Sequence, residues 1–137
     1  MKPTQIIIAT MLTMLSAGLC HASEEGLLPL STLTAESAGI GKSGPISVIA
    51  RKDNSNQWIE VTISAFGKEF SLNEDQRKQL DGEFVNGLML SYEEGYEDLG
   101  GRTVYIIFIR GFSSGIKMRQ LVSIAENGTI SITDPRK

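Results

Sequence analysis

The sequence predicts an α+β domain: a mostly antiparallel sheet of about six strands, with one helix inserted after the second strand. Three observations carry that expectation. Several short runs alternate apolar and polar residues, as half-buried strands do. Only one window has helical spacing behind a capping signal. Near the C-terminus an Asn-Gly pair separates two alternating runs, a strong hairpin signal.

The first strand is expected after Pro45, where Ile46, Val48 and Ala50 alternate with Ser47, Ile49 and Arg51. Asp53-Asn54-Ser55-Asn56 supplies a turn, because Asn and Asp bond their own backbone. The next strand places Ile59, Val61, Ile63 and Ala65 on one face. Glu60, Thr62 and Ser64 share the other with Trp58 and Phe66. Gly67 marks a bulge or turn before Phe70.

The helix is expected to start at Ser71, with Glu74 at capping-box spacing. Leu72, Leu80, Phe84 and Val85 form its apolar stripe, Glu74 and Lys78 an i,i+4 ion pair, and Gly87 its stop. Leu88, Leu90 and Tyr92 then alternate with Met89 and Ser91. The run Val104-Tyr105-Ile106-Ile107-Phe108-Ile109 is apolar on both parities, as in a strand covered on both sides. For the last hairpin, a three-residue loop of Glu126, Asn127 and a left-handed Gly128 pairs Ile124 with Ile130 and Val122 with Ile132. A two-residue loop would split those apolar residues between faces.

The N-terminus reads as a cleaved export signal over 1–22. Lys2 is its positive start, Ile6 to Leu19 its apolar stretch, and Cys20 and Ala22 the small residues at −3 and −1. The stretch is shorter than the roughly 20 apolar residues of a spanning helix, so no stable membrane insertion is expected. Leu19 before Cys20 breaks the lipoprotein pattern. Residues 23–43, rich in Ser, Gly, Ala and Thr, read as a poorly ordered arm, and 44–137 as a single α+β domain. The expected location is periplasmic or secreted.

Cleavage there would remove Cys20 and His21, the only cysteine and the only histidine. Triad and Cys–His chemistry would go with them, and zinc sites would keep only carboxylates. With Lys2 gone, 12 of the 13 basic residues face 16 acidic ones. Such a balance lacks the electrostatic footprint of a nucleic-acid binder and suits a cationic partner. No glycine-rich phosphate loop opens the helix; Gly39-Ile40-Gly41-Lys42-Ser43 lacks the first glycine and the helix of one. No cofactor and no metal are expected, and no enzymatic activity.

The candidate site is a protein-binding loop. Tyr92, Glu93, Glu94, Tyr96, Glu97 and Asp98 place four acids and two tyrosines between two strands, acids for steering and tyrosines for contact area. The acids lack the spacing of a calcium loop. Phe112, in a Gly/Ser loop, is a second candidate anchor. Arg102 and Arg110 are expected to pair with acids or meet solvent.

In size, compartment, β-content and missing catalytic groups, the chain resembles small exported bacterial inhibitors: lysozyme inhibitors and periplasmic immunity proteins. Ser114-Gly115-Ile116-Lys117-Met118 matches the first two positions of the Ser-Gly-x-x-Tyr loop of c-type lysozyme inhibitors and departs at the tyrosine. The resemblance implies an inhibitor or immunity protein that occludes another protein, such as a cationic cell-wall hydrolase or toxin. The alternative is a non-catalytic accessory or structural envelope protein, a secretion or surface-assembly factor.

Overall fold

The computed structural model describes residues 28, 30–80, 82, 85–95, 101–112 and 114–137. The expected processing site, Phe84, and the loop residues Tyr96, Glu97 and Asp98 lie outside them. The described strands are β1 (Thr32–Ser37), β2 (Ile46–Lys52), β3 (Trp58–Ala65), β4 (Lys68–Ser71), β5 (Val85–Glu93), β6 (Thr103–Gly111), β7 (Lys117–Ala125) and β8 (Ile130–Ile132). One helix, α1 (Glu74–Gln79), lies between β4 and β5.

These elements make two four-stranded antiparallel sheets, β1-β2-β3-β4 and β5-β6-β7-β8, each a plain meander. The antiparallel character and the short helix agree with expectation. A single six-stranded sheet does not form, and the helix follows the fourth strand. Alternation shows which residues point inward, but nothing in it says which strands share a ladder. The α1 connection breaks the meander in two, and the inner faces then bury each other. Val48, Ala50, Val61 and Ile63 of one sheet and Val104, Ile106, Phe108, Val122 and Ile124 of the other share one core. Fully burying each valine, isoleucine or phenylalanine of this set contributes about 1.5–3 kcal/mol.

Five local expectations change. Residues 32–37 of the segment read as an arm form β1, paired with β2 from Thr32↔Arg51 to Ser37↔Ile46, with Leu33 buried. The alternation of β1 is hard to see because its inward positions after Leu33 are only Ala35 and Ser37. In β3, Lys52 pairs with Trp58 while Arg51 pairs with Glu60, so Ile59 is an extra, bulged residue. The bulge turns Trp58 inward, to 6% exposure, and Ile59 outward, to 54%.

Ser71 belongs to β4, opposite Thr62, so it cannot cap α1. The capping box is Asn73 with Gln76: Gln76 N donates to Asn73 Oδ1 at 2.8 Å, and Asn73 N to Gln76 Oε1 at 2.9 Å. The helix is correspondingly short. Leu72 and Leu80 flank it and are buried, and Val85 and Gly87 lie in β5 rather than at its end. The Glu74–Lys78 pair forms, at 2.8 Å.

In β6 the inner residues Val104, Ile106 and Phe108 are sealed, whereas Ile107 and Ile109 on the outer face are half-buried. That strand is therefore covered on one side only among the described residues. The turn expectations at Gly67 and Gly128 hold. Gly67, at φ 68°, forms the two-residue β3–β4 turn together with Phe66, at φ 53°, which leaves the strand face expected for it. Gly128 has φ 91°, with Ile124↔Ile130 and Val122↔Ile132 in register.

Candidate functional site

Two meanders of four strands put their first and third hairpin connections at the same end of each sheet. The β1–β2, β3–β4, β5–β6 and β7–β8 connections meet at one end of the sandwich, and Arg102, just before β6, holds them together. Its Nε donates to Glu126 Oε2 at 2.8 Å, and its Nη2 to Glu126 Oε1. Its Nη1 donates to the Lys42 carbonyl, and the guanidinium lies over the Phe66 ring, 5.5 Å from the centroid. Glu126 N donates back to Arg102 O at 2.8 Å. A planar fork with five donors suits this many partners, as a lysine would not. The hydrogen bonds from Arg102 hold the Glu126 carboxyl below the usual carboxylate range.

The acidic loop leaves this end from β5. Glu93 and Glu94 are exposed. The Tyr105 hydroxyl donates to Glu93 Oε2 at 2.7 Å, which raises the Tyr105 pKa because the bond favours the protonated phenol. Glu94 lies 3.8 Å from Lys42 Nζ, both largely in solvent. The loop is pinched at its base, where a Cβ on Gly95 would run into the Gly101 carbonyl.

Two residues expected to make partner contacts lie apart from the exposed acids. Tyr92 faces inward, its ring packed on the core and its hydroxyl buried on the Arg102 side. Its place follows from the parity it shares with Leu88 and Leu90. Phe112 is half-buried in the β6–β7 loop, at the far end of a nine-residue strand, about 27 Å from the acidic loop. The structure therefore does not join Phe112 to Glu93 and Glu94 in one site. Tyr96, Glu97 and Asp98 lie outside the described residues.

One residue of this end has no counterpart among the expected site residues. Ile40, at the tip of the β1–β2 connection, is 70% exposed. The turn beneath it is tightly tied. Ile40 N donates to Ser43 Oγ at 2.8 Å and Ser43 N to Ile40 O at 3.0 Å, with Ser43 only 2% exposed. Gly39 has φ 90°, and a Cβ there would strike the Gly44 carbonyl. Below the tip is an open crevice of about 240 Å³ between β1 and β5, lined by Ser37, Ile40, Ser43, Leu90 and Tyr92. The only signal for it in the sequence is a lone isoleucine inside a Gly/Lys/Ser turn, which a reading of 23–43 as an arm conceals.

Chemically, this end offers a bulky apolar tip beside exposed carboxylates. Among the described residues, the Glu74 and Glu126 carboxyls are each held below the ordinary value by the cation bonded to them, Lys78 and Arg102, opposite to what a general acid needs. Among the described residues no three His, Cys, Asp or Glu side chains converge as metal ligands, and no helix is long and apolar enough to cross a membrane. What fold and loop end define is a two-sheet antiparallel sandwich with its odd-numbered hairpins gathered into one face. No family model matches the chain, and no curated protein or solved structure does either.

Proposed function

We propose that this chain is an exported protein-binding module that neutralises a cell-wall-degrading enzyme or toxin by occlusion. The observation that carries the reading is the pairing of Ile40, exposed on a tied turn, with the exposed acids of the neighbouring β5–β6 loop. A rigid apolar tip loses little entropy when it enters a partner's pocket, so it can serve as an energetic anchor. The neighbouring carboxylates Glu93 and Glu94, with Glu97 and Asp98 following in the sequence, attract a basic surface over about a Debye length. The partner is a cationic envelope enzyme whose cleft the loop end covers, in the periplasm or outside the cell.

Pull-down from envelope extracts, followed by turbidity assays with several lysozymes and amidases, tests this reading. Absence of any protein partner in both would sink it. With a partner in hand, replacing Glu93, Glu94, Glu97 and Asp98 by Gln or Asn should slow association about tenfold at low salt and leave Tm nearly unchanged. Ile40→Ala should instead raise the dissociation rate, by about tenfold.

A further inference from the structure

We propose that the outer face of the second sheet is the interface of a symmetric dimer of this chain. Ladder register lines up Met89, Ile107 and Leu121 in one row across β5, β6 and β7. Ile109 extends the apolar area along β6, with the exposed Arg119 of β7 beside it on the same face, between Leu121 and Lys117. Met89 is 49% exposed, and Ile107, Ile109 and Leu121 are half-buried. Over β6 the chain is thus apolar on a face that no described layer covers.

The charges around this row indicate the occupant. Glu93 is on the same face of β5, four residues beyond Met89. Lys117 is on the same face of β7, four residues from Leu121 in the opposite direction. Each therefore stands about 13 Å from the central row, at diagonally opposite corners. The Tyr105 hydroxyl holds the Glu93 carboxylate on this face. A two-fold axis crossing the strands obliquely through the row brings Glu93 of each copy to Lys117 of the other, with the apolar rows in contact. The strands of the two copies then cross obliquely, as packed sheets do. A two-fold interface must be self-complementary in this way. A uniformly basic partner would be repelled at Lys117 and a uniformly acidic one at Glu93, whereas this chain carries both charges at matching distances.

The proposal shares Glu93 with the loop-end reading, but its test reads self-association alone and needs no partner. Sedimentation equilibrium of the exported protein should show a reversible monomer–dimer equilibrium. Met89→Lys should weaken dimerisation at least about tenfold, with an unchanged circular dichroism spectrum and melting profile. Lys117→Glu should also weaken it about tenfold, since it opposes two carboxylates at each end. Adding Glu93→Lys to Lys117→Glu restores opposite charges and should recover affinity to within about threefold. The swap tests the proposal even if Met89→Lys impairs folding. A wild type that stays monomeric overturns it, as does a dimer that none of these changes weakens. Binding of monomers to phosphatidylglycerol vesicles without self-association would assign the face to a membrane surface and overturn it equally.

Discussion

Where α1 packs, Trp58 stands edge-on to Phe108, with centroids 5.3 Å apart and planes at 68°, and Lys52 Nζ lies 4.7 Å from the Trp58 centroid. Gln120, almost fully buried, donates its Nε2 to the carbonyls of Gln79 at 2.7 Å and Thr133 at 2.9 Å. Lys52 donates to Asn56 Oδ1 and the Gly82 carbonyl, and Arg77 to the Leu72 and Trp58 carbonyls. At the opposite end the turns are held by Arg102 and Glu126, partly in solvent, and by tied backbone. One end is thus shut by aromatic burial and by side-chain donors on irregular backbone carbonyls. The other is shut by hydrogen-bonded turns that leave their tips exposed. Exposed ion pairs contribute little to stability, so the loop end tolerates changes in charge. The helix end does not tolerate loss of volume or of a buried donor.

The sharpest way to break this contrast is Trp58→Ala. It removes the plug and leaves a cavity, so urea unfolding should show a loss of about 3–5 kcal/mol. A loss below about 1 kcal/mol would mean that this end is not the anchor of the core. Next comes Gln120→Leu, similar in size, which strands the Gln79 and Thr133 carbonyls and should cost about 1–3 kcal/mol in the same assay.

At the loop end the largest expected effect is conformational. Gly128→Val should destabilise by about 1 kcal/mol or more, because a β-branched residue tolerates positive φ poorly. A Cβ there would meet Phe70 only at ordinary contact distance, 4.0 Å, so the cost is backbone strain and not a clash. Asn127→Ala, which removes the acceptor for Thr129 N at 3.0 Å, should cost less. Equal small effects would contradict the left-handed Gly128.

The smallest effect is electrostatic. The Glu126 carboxyl is held below its ordinary pKa of 4.5 in the folded protein. Its pairing therefore adds stability above that ordinary value and loses it as pH falls through the depressed folded value. Glu126→Gln should lower Tm slightly at neutral pH, and the difference from wild type should vanish on acidification. A difference independent of pH would assign Glu126 a purely steric role.

Much of the inward-facing set is legible in the sequence. Val48, Ala50, Val61, Ile63, Leu88 and Leu90 sit on the predicted parities, and the register of the last hairpin follows from keeping Ile124 and Ile130 together. The departures share a cause. The bulge at Ile59 changes parity between Trp58 and Val61, and a period of two makes no allowance for an inserted residue. Ser71 resembles a cap because Ser-x-x-Glu is a local pattern. Its place opposite Thr62 is a non-local fact, which moves the cap to Asn73. At the loop end, Glu93 and Glu94 are found from composition. Arg102 is expected to meet an acid, and it does so across 24 residues of sequence. Its bonds to Lys42 and Glu126 and its stacking on Phe66 need the fold.

The sequence by itself determined which side chains face inward along most strands, the turn at Gly67, the left-handed loop at Gly128 and the acidic character of the β5–β6 loop. Each depends on neighbours a few residues away, through side-chain alternation or the φ that a turn demands. Tertiary structure alone decided that the strands divide into two sheets, that β1 joins the first, and that Ile40 stands out at the loop end. Those outcomes depend on which distant surface each ladder buries, and the free energy of that burial exists only once both sheets are in place.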